Sequence, residues 1–220
     1  MFITFEGGEG CGKTSIINKL KEDLPKIATV PLIVARDPGG TFIGNQIRAL
    51  LLSSENKEMA NTTELLLYLA SRAELVDKVI VPNLDKIILC DRFFDSTTVY
   101  QGYVRGFDQY ILNSIPHELK MGIIPDITYI LDVDPEVGLK RSFSALENSS
   151  VNEQKWEEET LDTHKKIREG FLKLGEDYPD NRFVIINANE SFDIVYNNIY
   201  KHLYHYFIIS KNLELVGASL

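Results

Sequence analysis

The stretch Gly7-Gly8-Glu9-Gly10-Cys11-Gly12-Lys13-Thr14 constrains this chain more than any other. It fits G-x-x-x-x-G-K-[ST] and follows the β-rich run Phe2-Ile3-Thr4-Phe5-Glu6, so the motif falls between a first strand and a helix. Glycines let the backbone wrap a phosphate with its N–H groups, and a helix starting near Lys13 adds the positive end of its dipole. In that setting Lys13 reaches the β- and γ-phosphates of ATP or GTP. The Thr14 hydroxyl is placed to ligate the Mg²⁺ that balances the triphosphate charge. The bland alternative is a glycine-rich turn with a solvated lysine. It carries little weight for a motif at the first strand-to-helix junction of an α/β pattern.

That pattern continues along the chain. Apolar runs recur at Pro31–Ala35, Ile87–Cys90, Asp126–Val133 and Arg182–Ile186, each separated from the next by enough residues for a helix. The alternation predicts βαβ units around a five-stranded parallel sheet, and the near-continuous apolar character of each run predicts cover on both faces. Thr62–Val81 shows apolar residues at Leu65, Leu66, Leu69, Ala73, Val76 and Ile80, a helical stripe that sets Arg72 and Glu74 on other faces and ends at Pro82. Ser142–Glu159 is polar and irregular and reads as a mobile flap. A last helix is expected from about Ser191, as N-cap, to Phe207, and Ser210–Leu220 carries weak signals. With no repeat or Pro/Gly-rich linker, residues 1–220 read as a single three-layer α/β/α domain with a lid near 142–159.

A net charge of -9 and a pI near 5.0 oppose sequence-independent binding to a nucleic-acid backbone. Two cysteines, Cys11 and Cys90, are too few for a disulfide framework. No signal-peptide pattern is visible at the start, and nowhere do about 18 apolar residues run together, so a cytoplasmic protein off the membrane is expected. A GTPase is the first rival for the phosphate loop. Asp37-Pro38-Gly39-Gly40 fits D-x-x-G, but Asn56-Lys57-Glu58-Met59 misses N-K-x-D because Met59 cannot accept the guanine N–H donors. A second substrate is indicated instead by Asp91-Arg92, delivered by an apolar strand to the carboxyl edge of the sheet, where such sheets bind ligands. Asp91 can organise Mg²⁺ through water, and Arg92 can hold phosphate oxygens in a fork.

Taken in order, several blocks resemble the bacterial thymidylate kinases over nearly the whole chain. Phe5 through Thr14 is similar to their phosphate loop, and Arg36-Asp37-Pro38-Gly39-Gly40-Thr41 to their R-E-P-G-G-T segment. Leu65 through Arg72 is similar to the thymine-binding helix, and Asp91-Arg92-Phe93 to the D-R-Y block. Ser96 through Gly102 is similar to the segment after that block, and Pro125-Asp126 through Pro135 to the strand leading to the lid. The resemblance implies a P-loop kinase that passes the γ-phosphoryl group of ATP to dTMP, giving dTDP on the way to dTTP. It also implies a homodimer. On the matching residues it implies that Tyr68 stacks on thymine, Arg72 donates to thymine O4, and Gln101 completes the pairing to the base. Tyr100 packs against the sugar, Thr97 lines the pocket, Arg36 and Arg92 hold the monophosphate, and Glu9 accepts from the 3'-hydroxyl.

The chain departs from that pattern in the lid, where Gln154-Lys155-Trp156-Glu157 stands in place of D-R-x-E. Lys155 offers charge without a bidentate fork, and Arg141 is the other lid cation able to reach adenine or the phosphates. Asp37 replaces the usual glutamate. Because a phosphate oxygen is already a nucleophile, direct in-line transfer needs no catalytic Ser, Cys or His. The histidines at 117, 164, 202 and 205 are expected at the surface. The alternatives are a kinase for another nucleoside monophosphate or a deoxynucleoside, and a nucleotide-binding regulator without turnover.

Overall fold

The computed structural model describes residues 1–118, 122–146, 155–177 and 182–210. Its apolar runs form five strands, β1 (Phe2–Glu6), β2 (Leu32–Arg36), β3 (Ile87–Asp91), β4 (Ile127–Asp132) and β5 (Phe183–Asn187). All pairings are parallel, in the order β2-β3-β1-β4-β5. The central strand β1 is buried along its whole length, whereas the edge strands β2 and β5 are only partly buried although their runs are as apolar as the middle ones. Three strands extend one residue beyond their apolar runs, to Arg36, Asp91 and Asn187. Arg36 and Asp91 are thereby in register with each other at the carboxyl edge of the sheet.

Eight α-helices accompany the strands among the described residues. They are α1 (Lys13–Asp23), α2 (Phe42–Leu52), α3 (Asn61–Leu75), α4 (Phe94–Thr97), α5 (Gln109–Glu118), α6 (Pro135–Leu146), α7 (Leu161–Asp177) and α8 (Phe192–Ser210). Local chemistry accounts for several starts. The Thr41 hydroxyl caps α2 by accepting from Gly44 N at 2.9 Å, Pro135 opens α6, and α8 begins directly after Ser191. The helix predicted over Thr62–Val81 is α-helical only to Leu75, then widens into a π-turn at Val76–Ile80 and tightens at Val81–Asn83 around Pro82. A second π-helical stretch, Thr98–Val104, follows α4. It carries Tyr100 and Gln101, in keeping with the frequent use of such turns at functional sites.

Period-two alternation divides β1 between two cores. Ile3 and Phe5 pack with Ile16, Ile17, Leu20, Tyr129, Ile199 and Leu203, so α1 and α8 cover one face. Phe2 packs on the other face with Leu75, Val76, Ile80, Ile88 and Phe93. Each such side chain contributes about 1.5–3 kcal/mol of burial. The three-layer α/β/α expectation is met.

One expectation is corrected. Ser142 to Leu146 belong to α6 rather than a flap, and where the chain is next described, Lys155 and Trp156 are buried. Arg72, off the apolar stripe of α3, is 1% exposed and lines the cleft described below. Its apolar stem and planar head fit between α3 and the Asp37 loop, where a carboxylate meets it. Gln154 and the tail beyond Ser210 lie outside the described residues.

Candidate active site

The phosphate loop is held by close backbone approach. Gly12, at the entry to α1, has φ 95°, and Gly10 has φ 65°, both in the left-handed region that favours glycine. A Cβ on Gly10 would come within 1.9 Å of the Gly138 carbonyl oxygen, and one on Gly138 within 2.4 Å of the Glu9 carbonyl oxygen. The loop therefore rests directly on the first turn of α6. Inside it, Lys13 Nζ donates to Gly7 O at 3.1 Å and Gly8 O at 2.9 Å, and contacts Cys11 Sγ at 3.2 Å. The loop's own carbonyls occupy the ammonium donors that an anion would otherwise take. Next to it, Thr14 Oγ1 donates to Asp91 Oδ2 at 2.7 Å, and Arg36 Nη2 stands 3.8 Å from the same oxygen.

Beside the loop opens a cleft of about 310 Å³. Gly10, Lys13 and Thr14 line it from the phosphate side, Arg36 and Asp91 from the sheet edge, Tyr68 and Arg72 from α3, and Arg92, Thr97, Tyr100 and Gln101 from the segment after β3. With Glu9, which also lines it, the structure brings together twelve residues singled out in the sequence. Three of the lining residues carried no signal in isolation: Arg48 from α2, which donates to Pro38 O at 3.0 Å, Ser96, and Trp156.

Arg92 is the hinge of the arrangement. It has φ 66°, a left-handed conformation that costs a non-glycine residue about 1–3 kcal/mol. Its guanidinium lies 5.1 Å from the Tyr100 ring centre and donates to Gly7 O at 2.8 Å, Ser96 Oγ at 3.2 Å and Glu9 Oε1 at 3.1 Å. Glu9 Oε1 also accepts from Tyr100 Oη at 2.6 Å, and Glu9 Oε2 stands 3.3 Å from His164 Nδ1. Burial pushes the Glu9 carboxyl up, but His164, Arg92, Lys13 and Tyr100 together outweigh it and bring it down to about 2. His164 is 4% exposed and so is not the surface histidine expected, while His205 is exposed and His202 is half-buried against Tyr129 Oη at 2.8 Å. The side chain of His117 lies outside the described residues.

Arg72 Nε meets Asp37 Oδ2 at 2.5 Å, Nη1 donates to Thr97 Oγ1 at 2.8 Å, and Nη2 donates to Phe93 O at 3.2 Å. The shorter Asp37, in place of a glutamate, still reaches the guanidinium. The two lid cations are elsewhere. Lys155 is 4% exposed and does not line the cleft; its Nζ lies 2.6 Å from Glu64 Oε2. A buried ammonium needs a carboxylate partner, and here the partner is on α3 rather than at the phosphates. Arg141 donates to Ala188 O at 2.8 Å and Asn189 O at 3.4 Å, on the turn after β5.

Between them, Trp156 closes the cleft. Its Nε1 donates to Tyr68 Oη at 3.1 Å, its ring meets the Tyr100 ring edge-on at 4.6 Å, and the Arg105 guanidinium lies 4.7 Å from it.

A glycine-rich phosphate loop at the centre of a parallel sheet, sharing a cleft with arginines and aromatic side chains, defines an ATP-dependent nucleoside monophosphate kinase. A family model for thymidylate kinase matches residues 5–199. A thymidylate kinase of Geotalea uraniireducens is 45% identical over 192 residues, covering 86% of this chain and 89% of the relative. One from Acholeplasma laidlawii is 40% identical over 207 residues, covering 92% and 100%. The crystal structure of thymidylate kinase from Ehrlichia chaffeensis superimposes with a TM-score of 0.71 at 30% identity, covering 92% of this chain and 98% of that one. This chain belongs to the thymidylate kinase family.

Proposed function

We propose that this protein transfers the γ-phosphoryl group of ATP to dTMP, giving dTDP in the supply of dTTP, and works as one kinase domain over residues 1–220 with a lid that follows α6. The observation that carries this reading is one cleft lined both by Lys13 and Thr14 of the phosphate loop and by Tyr68, Arg72 and Gln101. Phosphoryl transfer asks for alignment and charge stabilisation rather than a covalent intermediate. Residues Gly7 to Thr14, including Cys11 through its backbone, hold the ATP phosphates, and Lys13 exchanges its loop carbonyls for phosphate oxygens. Arg36 and Arg92 hold the acceptor monophosphate, and Arg141 borders the adenine.

Tyr68 supplies the face on which thymine stacks, with Arg72 toward O4 and Gln101 toward N3. Thr97 lines the same wall, Tyr100 excludes a 2'-hydroxyl, and Glu9 takes the 3'-hydroxyl. The Glu9 carboxyl, held down to about 2, stays an acceptor throughout the neutral range.

Among the described residues no group of three or more His, Cys, Asp or Glu side chains is placed to hold a metal. The Thr14 hydroxyl and Asp91 carboxylate, 2.7 Å apart, are hard oxygen donors that suit a Mg²⁺ ion arriving with the triphosphate. Once bound, that ion would neutralise charge on the transferring phosphates. A homodimer is supported by apolar side chains left exposed on α2 and α3, Phe42 at 79% and Leu66 at 60% among them. We read the enzyme as cytoplasmic; no helix of the described residues is long and apolar enough to cross a membrane.

The test is ADP production from Mg-ATP with dTMP offered beside AMP, GMP, dCMP and thymidine. Turnover is expected with dTMP, and Lys13→Ala should lower kcat by about 100-fold or more. Transfer to another acceptor with dTMP inert would overturn the reading, and no turnover with any acceptor would favour a regulator.

A further inference from the structure

Glu64, on α3, is 1% exposed and is absent from the cleft wall, yet its carboxylate is fully engaged. Oε1 accepts from Gln101 Nε2 at 3.1 Å and lies 3.5 Å from Arg105 Nε, while Oε2 takes the Lys155 ammonium at 2.6 Å. Gln101 is itself 1% exposed and lines the cleft. We propose that Glu64 is a positioning residue that fixes the direction of the Gln101 carboxamide and through it the base preference of the acceptor pocket. The inference rests on the reading of that pocket as the dTMP site.

A glutamine amide presents nearly the same shape either way round, so packing alone cannot choose its sense. A carboxylate held between two cations only accepts, so the amide NH₂ must face it. The amide oxygen then diverges from the nitrogen and is left for the cleft. An oxygen there accepts the N3–H of thymine. Cytosine offers a lone pair at N3, so two acceptors would face each other unpaired. That mismatch costs about 1–3 kcal/mol, roughly a tenfold to hundredfold difference in affinity. The second oxygen of the same carboxylate holds Lys155, so base reading and the lid segment that carries Lys155 share one anchor.

The experiment compares dissociation constants for dTMP and dCMP, by titration calorimetry with competition, in wild type, Glu64→Gln, Lys155→Gln and the double variant. In Glu64→Gln the Lys155 ammonium claims the new amide oxygen. The new NH₂ then turns to Gln101, which rotates and shows its own NH₂ to the base. The dTMP affinity is expected to fall about tenfold to hundredfold and the preference over dCMP to narrow, while Lys155→Gln keeps the wild-type ratio. Equal weakening of both nucleotides in Glu64→Gln, or an unchanged ratio, would overturn the proposal. Should the Lys155 charge prevent folding of Glu64→Gln, the double variant, made as Glu64→Leu/Lys155→Gln, removes both charges and the acceptor that directs the Gln101 amide and must still show the narrowed ratio; a wild-type ratio there also overturns it. Failure of the wild type to bind dTMP at all would instead overturn the reading of the pocket.

Discussion

Glu6 ends β1 with its carboxyl wholly enclosed, accepting from Phe93 N at 2.7 Å and facing Ser96 Oγ at 2.6 Å. Burial, then the Asp95 charge, push it up from the ordinary 4.5 to about 7, against the opposing pull of Arg92. The folded state therefore holds its proton more tightly than the unfolded chain. The stability this contributes is complete below pH 4.5 and is lost as pH rises through about 7. A glutamine at this position keeps both hydrogen bonds, its NH₂ donating to Ser96 Oγ, and never ionises. Glu6→Gln should stabilise the fold at pH 8 by up to about 3 kcal/mol and match wild type near pH 4, as read by urea unfolding across pH. A difference between the two proteins that does not vary with pH would show that the Glu6 carboxyl is not perturbed. Glu9 behaves oppositely: held at about 2, it gives a contribution present at neutral pH and lost only as pH falls through that value.

Between elements, the contact that positions the donor side is α6 against the phosphate loop. Because the atom met by a Cβ on Gly138 is backbone, the carbonyl oxygen of Glu9 at 2.4 Å, the clash cannot be relieved by a rotamer change. Gly138→Ala should displace the loop and raise KM for ATP about tenfold or more, with a smaller effect on acceptor affinity measured without ATP, as steady-state kinetics and calorimetry can separate. Equal losses for both nucleotides would place the damage in the fold as a whole.

The phosphate loop was legible from sequence because every part of it is contiguous, from strand to glycines to helix start. The sheet was legible because its strands are short, nearly continuous apolar runs spaced far enough apart for a helix between each pair. The Asp37 partner of Arg72 was not, since it lies 35 residues away and helical periodicity does not name what a side chain off the apolar stripe will meet. His164 was missed for the same reason: its contact with Glu9 spans two elements distant in sequence. The partner of Lys155 was not legible either, because Glu64, which holds its ammonium, lies 91 residues earlier in the chain.

At the scale of the molecule, one cleft gathers side chains from β2, α2, α3, the β3 end and the lid, so occupancy ties together segments otherwise held by separate cores. Ligands that bind only the folded state stabilise it by mass action, about 2.7 kcal/mol at a hundredfold excess over Kd. For a chain of this size dTMP at that excess should raise Tm by about 5–10 °C in a thermal-shift measurement, and a nucleotide the cleft rejects should leave it unmoved. The chain carries one tryptophan, and it is the residue that spans Tyr68 and Tyr100 over the acceptor side of this cleft. Its indole emission is therefore a native optical gauge of that surface. An acceptor sliding onto Tyr68 must alter the polarity and ring neighbours of Trp156, so binding and lid rearrangement can be timed by stopped-flow fluorescence without attaching a dye.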